Sequence, residues 1–473
     1  MFPVLTIERI EPMNPEKHLP DPRQNKMGTM PVGKLLFNMA TPMILSMLVQ
    51  ALYNVVDTFF VAQIYEDAAL TDKLMAAMSL AFPIQNLQIG FGTGIAVGVN
   101  ALLSKSLGQG NRDQANRAAG NGIFLVAVAT VAFMLFGIFG SRMYYSTMSD
   151  DALIIEAGST YTTICCTLTV GVFVSILCER LLQATGRATL TMLTQGTGAI
   201  VNIILDPILI LGLDMGIAGA AYATVIGQFC GAAVGIFFNL KKNPDIQFGT
   251  RYVKPDPKTL GPILTVGVPS VVMVAIGSVM NLGMTTVLNT FKAVKVAAVG
   301  VFGTYFKLQS FFFMPLFGLN NATISIVAFN YGARNKARIV KTLRLAVLTA
   351  LGFMLAGLAV FQLVPDVLLG LFEPSEEFMA IGVKALRIIS WHFPLAAIGI
   401  ALGASFQALG NGIYSTIVSC MRQMVALLPA AYLLSLSGNV AAVWWSFPIA
   451  EVVSVAFSLI FFIRIYRQKI RTL

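Results

Sequence analysis

The chain has 473 residues, 56% of them hydrophobic and only 11% charged, with a formal net charge of +10. Soluble domains carry roughly a quarter charged residues, so this composition excludes a soluble enzyme or scaffold and describes a chain that crosses a membrane many times. The positive excess does not describe a nucleic-acid binder either, because the basic residues sit in alternate loops between apolar runs.

In chain order, residues 1–26 contain several prolines and mixed charges but no long apolar stretch, which predicts a flexible cytoplasmic tail, not a signal peptide. Six apolar runs follow, at 35–64, 74–103, 118–140, 161–182, 190–213 and 217–240. Six more cover 260–288, 296–329, 340–364, 380–409, 413–435 and 440–465. A helical crossing needs about 20 residues, and continuous apolar runs do not suit barrel strands. The prediction is an all-α polytopic membrane protein with twelve transmembrane helices. Basic loops (Lys105, Arg112 and Arg117; Lys241 and Lys242; Arg334, Lys336 and Arg338) alternate with acidic ones (Glu66 and Asp67; Asp150 and Asp151; Glu376 and Glu377). That alternation places both termini in the cytoplasm. Five cysteines, Cys165, Cys166, Cys178, Cys230 and Cys420, lie in or beside apolar runs without metal-ligand spacing and read as buried small hydrophobes.

The two series repeat each other. Gln85 to Asn111 resembles Gln309 to Asn335, and Gln183-Ala184-Thr185-Gly186 recurs as Gln407-Ala408-Leu409-Gly410, both at an offset of 224 (309 − 85 and 407 − 183). Pro42 and Pro269 are 227 apart. The expected layout is two pseudo-symmetric six-helix bundles, 27–240 and 260–465, joined by a cytoplasmic linker at 241–259 and followed by a tail at 466–473. Six is even, so the repeat is parallel. Parallel repeats place a substrate site at their interface; a duplicated channel or scaffold is the plainer alternative.

Charges inside such helices are expensive and mark functional positions. Asp57 stands near the outer end of the first run, and its repeat partner, at the 227 offset, is Met284. In Asn202-Ile203-Ile204-Leu205-Asp206-Pro207, the amide and the acid are i,i+4 and share a helix face. Pro207 cannot donate to the Ile203 carbonyl. The cluster, with a Thr224 hydroxyl added, suits Na⁺ or a proton; a plain buried Asn202–Asp206 hydrogen-bond pair is the other reading. Glu179 is a candidate cavity acid, Arg180 a candidate snorkelling arginine. Glu451 is the strongest acid of the second half, with Lys307, Arg387 and Arg422 as charges in or near spans. Tyr53, Tyr305 and Phe313 offer cation–π contacts.

Thr41-Pro42-Met43 through Gln50-Ala51-Leu52-Tyr53-Asn54-Val55-Val56-Asp57, Gln183-Ala184-Thr185-Gly186, Asn202 through Asp206-Pro207, and Gly332-Ala333-Arg334-Asn335 together resemble the multidrug and toxic compound extrusion (MATE) family over about residues 27 to 465. The resemblance implies a bacterial inner-membrane antiporter, working as a monomer, that exports organic cations and other xenobiotics in exchange for H⁺ or Na⁺ by alternating access, with no further cofactor. It maps the coupling site onto Asp57, Asn202, Asp206 and Thr224, with Na⁺, if that is the ion, held by Asp57, Asn202 and Asp206. Tyr53, Glu179, Gln183 and Glu451 become the cavity and substrate candidates. Glu179 falls where relatives usually carry asparagine, and the seventh helix lacks the acid some relatives place there. The runner-up is a flippase for lipid-linked oligosaccharide, which calls for a basic cavity. An intramembrane aspartyl enzyme is disfavoured: Leu211-Gly212-Leu213-Asp214 lacks the needed motif, and neither His18 nor His392 has catalytic company.

Overall fold

With no water in a bilayer core, every backbone N–H and C=O must be paired within the chain, and helices do this segment by segment. The computed structural model describes the backbone of residues 25–61, 68–292, 294–372 and 375–473. It describes the side chains of all these except 51, 53–61, 68–69, 71–72 and 75. Among the described residues the structure is helical, with no strand. Spans one to six are Val32–Val61, Ala68–Gly108, Arg112–Met148, the pair Ala152–Thr167 with Val170–Ala184, Ala188–Gly212, and Gly216–Lys241. Spans seven to twelve are Pro257–Leu288, Lys295–Gly332, Lys336–Leu363, Glu376–Ala408, Gly412–Ser435 and Val440–Ile470. Among the described residues, eleven are long and apolar enough to cross singly, and span four does so as a pair bent by 47°.

The offset of 224 reappears in backbone geometry. Span two ends with Gly110 at φ 75°, and span eight ends with Arg334, 224 residues later, at φ 55°. Gly186 and Gly410 close spans four and ten at φ 79° and 75°, and Asp214 and Gly438 follow spans five and eleven at 52° and 70°. At Gly186 the N–H of Arg187 bonds the Leu182 carbonyl while that of Gly186 bonds Gln183; Asn411 to Phe406 and Gly410 to Gln407 repeat this. This paired closure is the Schellman motif, which needs a left-handed residue and explains the recurring glycine. Asn111 and Asn335 then start the next spans by accepting from the N–H of Gln114 and Arg338.

The two halves meet along spans two and seven, and along one and eight. A Cβ on Gly98 would sit 2.2 Å from the Ile263 carbonyl oxygen, so only glycine admits this approach. Contacts of this kind seal the half of the molecule that carries Asn25 and Leu473, the first and last described residues.

The described residues nearest those ends are more ordered than the sequence suggests. Asn25 and Lys26, assigned to the leading tail, belong to a short helical turn wedged between the halves: the Asn25 side chain donates to the Thr185 carbonyl, and Arg338 donates to the carbonyls of Met27 and Met30. Met27 is fully buried there, so polarity alone misplaces the boundary. The expected linker is pinned as well. Asn121 donates to Tyr252 O and accepts from Asp256 N, and Arg187 pairs with Asp245 at 2.9 Å. The C-terminal residues extend span twelve to Ile470, which is buried, and Lys469 donates to the Leu409 carbonyl at 2.7 Å. The five cysteines are free thiols.

Candidate functional site

Beyond the sealed end lies a cavity of about 830 Å³, lined by both halves of the chain. Its wall is mostly apolar, with methionines such as Met47, Met273 and Met314 and rings such as Phe306 and Phe313. Thioether side chains reshape easily around different ligands. Polar side chains are interleaved throughout, and two groups of them, one in each half, hold the charged residues of the lining.

The first gathering belongs to spans one, four, five and six. Gln195 donates to Gln50 at 2.7 Å, tying span five to span one. Two turns further along span five, Asn202 donates to Asp206 at 3.2 Å and to the Thr224 hydroxyl at 3.5 Å. Asp206 is fully buried behind Asn202 and Thr224, which face the cavity. The Asn202 Oδ1 is also buried and accepts no hydrogen bond among the described residues. After Pro207 the helix widens into a π-turn over Ile208–Gly212, the usual response to a missing N–H donor. So the structure brings together three of the predicted coupling residues. Asp57 and Tyr53 lie on the helical backbone of span one, but their side chains fall outside the described residues.

Glu179 lines the cavity from span four and accepts from Ser175 at 3.2 Å. Its neighbour Arg180 corrects an expectation: it does not reach for the interface. It is 8% exposed and donates to Gln183 at 2.9 Å, an acceptor the bundle itself supplies. Gln183, predicted to face substrate, is buried as that acceptor, does not line the cavity, and contributes its carbonyl to the Gly186 closure.

The second gathering belongs to spans eight, ten, eleven and twelve. Arg422 donates to Glu451 at 3.4 Å; the acid side chain is 4% exposed and the guanidinium-bearing one 30%. The Tyr305 hydroxyl donates to Gln309 at 2.6 Å. His392, at the break within span ten, donates from Nδ1 to the Ile389 carbonyl, and its ring lies 5.9 Å from both Phe313 and Phe447. Sequence reading gave His392 no role and Arg422 only that of a companion charge that pairs with Glu451 or reaches the interface. Carrying the 224 offset onto span interiors would have found Arg422, since it and Glu451 align with Gly198 and Gly227. Among the described residues no cluster of three or more His, Cys, Asp or Glu has the grouping to hold a metal ion.

The MatE family model matches residues 42–208 and again residues 269–433. The chain belongs to the MATE family of efflux transporters. The double match is offset by 227 at its start and 225 at its end (269 − 42 and 433 − 208), close to the 224 of the structural landmarks, and MATE proteins are transporters, not enzymes. The multidrug export protein MepA of Staphylococcus haemolyticus is 24% identical over 449 residues, covering 93% of this chain and 95% of that one. MepA of Staphylococcus aureus reaches 25% over 436 residues, covering 89% and 91%. Among solved structures, a MATE protein in complex with MaL6 superposes with a TM-score of 0.88 at 24% identity, over 95% of this chain and 99% of that one. An outward-facing multidrug resistance MATE transporter gives 0.87 at 23%, over 97% and 99%. The chain is thus a multi-pass membrane protein with the MATE fold.

Proposed function

We propose that this MATE protein is a secondary antiporter that exports organic cations in exchange for H⁺ or Na⁺ by alternating access. The observation that carries the reading is a fully buried carboxylate, Asp206, held by Asn202 and set just behind the wall of a cavity shared by both halves. Burying a carboxylate is costly, and a membrane protein keeps one where it binds a proton or a cation. The multidrug export named in the MepA relatives supports the same direction.

Asp57 joins this site by register. Spans one and five run parallel and are bridged by Gln50 and Gln195; seven residues past each stand Asp57 and Asn202, so the two lie at one height. An ion entering at Asp57, Asn202, Asp206 and Thr224 neutralises the wall that attracts a cationic substrate at Glu179. Ion and substrate then compete through charge, and the coupling is reciprocal. With the basic loops cytoplasmic, the sealed end faces the cytoplasm and the cavity belongs to the outward half of the cycle, in a bacterial cell membrane like that of the MepA relatives.

The test is efflux from proteoliposomes with H⁺ and Na⁺ gradients imposed separately. One gradient is expected to drive export of rhodamine 123, a permanent dye cation, and Asp206→Asn is expected to abolish the driven component. Undiminished driven export in Asp206→Asn would end this mechanism.

A further inference from the structure

We propose that the linker between the halves and the start of span three form a binding site for an anionic phospholipid, which takes the phosphate and glycerol of one lipid at the cytoplasmic edge of the membrane. The site is a second cavity, of about 300 Å³, between Asn116, Gly120 and Ile123 of span three and the linker residues Gln247, Phe248 and Tyr252. None of its lining residues lines the central cavity.

Its height follows from helix length. Span three, Arg112–Met148, has 37 residues. At 1.5 Å per residue it is about 55 Å long, against a hydrocarbon core of about 30 Å, so it extends about 12 Å past the core at each end. Asn116 stands about 6 Å from the basic, cytoplasmic end and Ile123 about 16 Å. The cavity therefore crosses the boundary between headgroups and acyl chains. Asn116, Gly120 and Ile123 share one helix face at i, i+4 and i+7. The polar residue is on the headgroup side and the apolar one on the chain side, which is the polarity of a phospholipid.

Asn116 is 4% exposed, and its Oδ1 accepts from the Gln247 N–H at 2.8 Å. That bond fixes which end of the amide is oxygen and leaves the NH₂ as the other end. Among the described residues no protein acceptor meets that NH₂, although the side chain lines the cavity. A buried donor left unmade is costly, so the amide asks for an oxygen from a ligand, here a phosphate or an ester carbonyl. The walls beyond it are apolar, and Phe248 is 37% exposed at the mouth. The rim is cationic. Arg251 lies with its guanidinium 4.5 Å from the centre of the Tyr252 ring and hydrogen-bonds the Tyr252 hydroxyl, so the ring holds a charge at the mouth. Both linker acids are spent elsewhere, Asp245 on Arg187, and Asp256 on Thr259 and Arg117. Lys241, Lys242, Arg251, Lys254 and Lys258 outnumber them. A basic segment at the cytoplasmic surface attracts anionic lipid, and the cavity with its buried amide turns that attraction into a site for one molecule.

The test titrates delipidated full-length protein in detergent with palmitoyl-oleoyl phosphatidylglycerol and, separately, with phosphatidylcholine of the same chains, counting bound lipid by native mass spectrometry. Wild type is expected to bind phosphatidylglycerol about tenfold more tightly. Asn116→Asp keeps the acceptor for the Gln247 N–H but turns the free donor into a carboxylate oxygen, and is expected to erase that preference. Gly249→Val fills the cavity from extended backbone at φ −166°, with its Cβ 3.6 Å from the Tyr252 ring, and removes no charge or hydrogen bond. It is expected to weaken phosphatidylglycerol about tenfold, and Arg251→Gln, on an exposed side chain, about threefold. Phosphatidylglycerol binding within twofold of wild type in both Asn116→Asp and Gly249→Val would mean that lipid merely adsorbs to the linker's charge, and the proposal falls. sn-Glycerol 3-phosphate carries the phosphate without chains and is expected not to displace the lipid. Displacement at concentrations comparable to those of the lipid would make this a soluble-anion site and would equally overturn the proposal.

Discussion

The seam between spans five and six and the seam between spans eleven and twelve are built on one backbone plan and filled with opposite chemistry. In the first, Gly198 and Gly227 touch through the backbone, and the close approach brings Asn202 and Thr224 within 3.5 Å, with Asp206 behind. In the second, Arg422 and Glu451 stand where those glycines were, as an ion pair at 3.4 Å, and the positions matching Asn202, Asp206 and Thr224 are Ala426, Ala430 and Pro448. A duplicated fold can therefore devote one copy to a buried titratable site and the other to a charged cavity wall. A tight glycine seam keeps water from the carboxylate that we propose binds the coupling ion. An ion-pair seam leaves a charge standing at the surface of the cavity.

The largest effect that separates the seams is functional. Asp206→Asn should reduce gradient-driven export by about 100-fold, on the scale of a lost buried charged contact, while Ala430→Asn at the matching position should leave export within about twofold, measured in proteoliposomes. Next comes Arg422→Ala, which strands Glu451 in a site where it is 4% exposed. Loss of one partner of a buried pair costs about 3–5 kcal/mol, and the partial exposure of Arg422 brings the expected loss toward about 2–3 kcal/mol by thermal unfolding in detergent. Combining Arg422→Met with Glu451→Leu removes the stranded charge along with its partner and should recover most of that loss. Gly227→Ala should cost about 1–3 kcal/mol, since its Cβ would meet the Gly198 carbonyl oxygen at 2.6 Å. Smaller again is Arg334→Gly. It removes a side chain from φ 55°, where the first half already has Gly110, and should stabilise by about 1 kcal/mol.

Much of the plan was legible from periodicity. Apolar runs separated by polar loops located all the spans, since membrane helices leave no other way to satisfy the backbone. The i,i+4 spacing put Asn202 and Asp206 together because helix geometry alone determines it. Gln183 was misread because its motif recurs for a structural reason: the Gln-Ala-x-Gly pattern closes a helix, and its side chain then serves Arg180. Arg180 was misread because sequence does not reveal a buried acceptor contributed one turn away. Arg422 was visible as a charge but not as a wall, since exposure depends on which of two paired groups stands in front, a matter of tertiary packing. The chain ends were misplaced because Asn25 and Lys469 are held by distant partners, Thr185 and Asp245 for the one and Leu409 and Asn411 for the other, that no local pattern announces.

The smallest expected effect compares the two halves at their other end. Asp151 caps span four by accepting from Leu153 N, and Ser375, 224 residues later, caps span ten by accepting from Phe378 N. Only the first cap is charged, and Lys73 sits 2.8 Å from it. The Lys73 hydrogen bond, helped by the two backbone donors, holds the Asp151 carboxyl below its ordinary range. A carboxyl whose folded pKa is depressed contributes its stability above the unfolded value, about pH 4, and loses it as the pH falls through the folded value. Thermal unfolding followed from pH 7 down should therefore show this contribution intact to about pH 4 and disappearing below it. Asp151→Ser, which copies the second half, should flatten that acid limb and its salt sensitivity while barely moving the neutral-pH midpoint, because the pair is exposed and screened. If Asp151→Ser instead lowered the midpoint as much as Gly227→Ala, the outer caps and not the inner seams would be where the two halves differ most in stability.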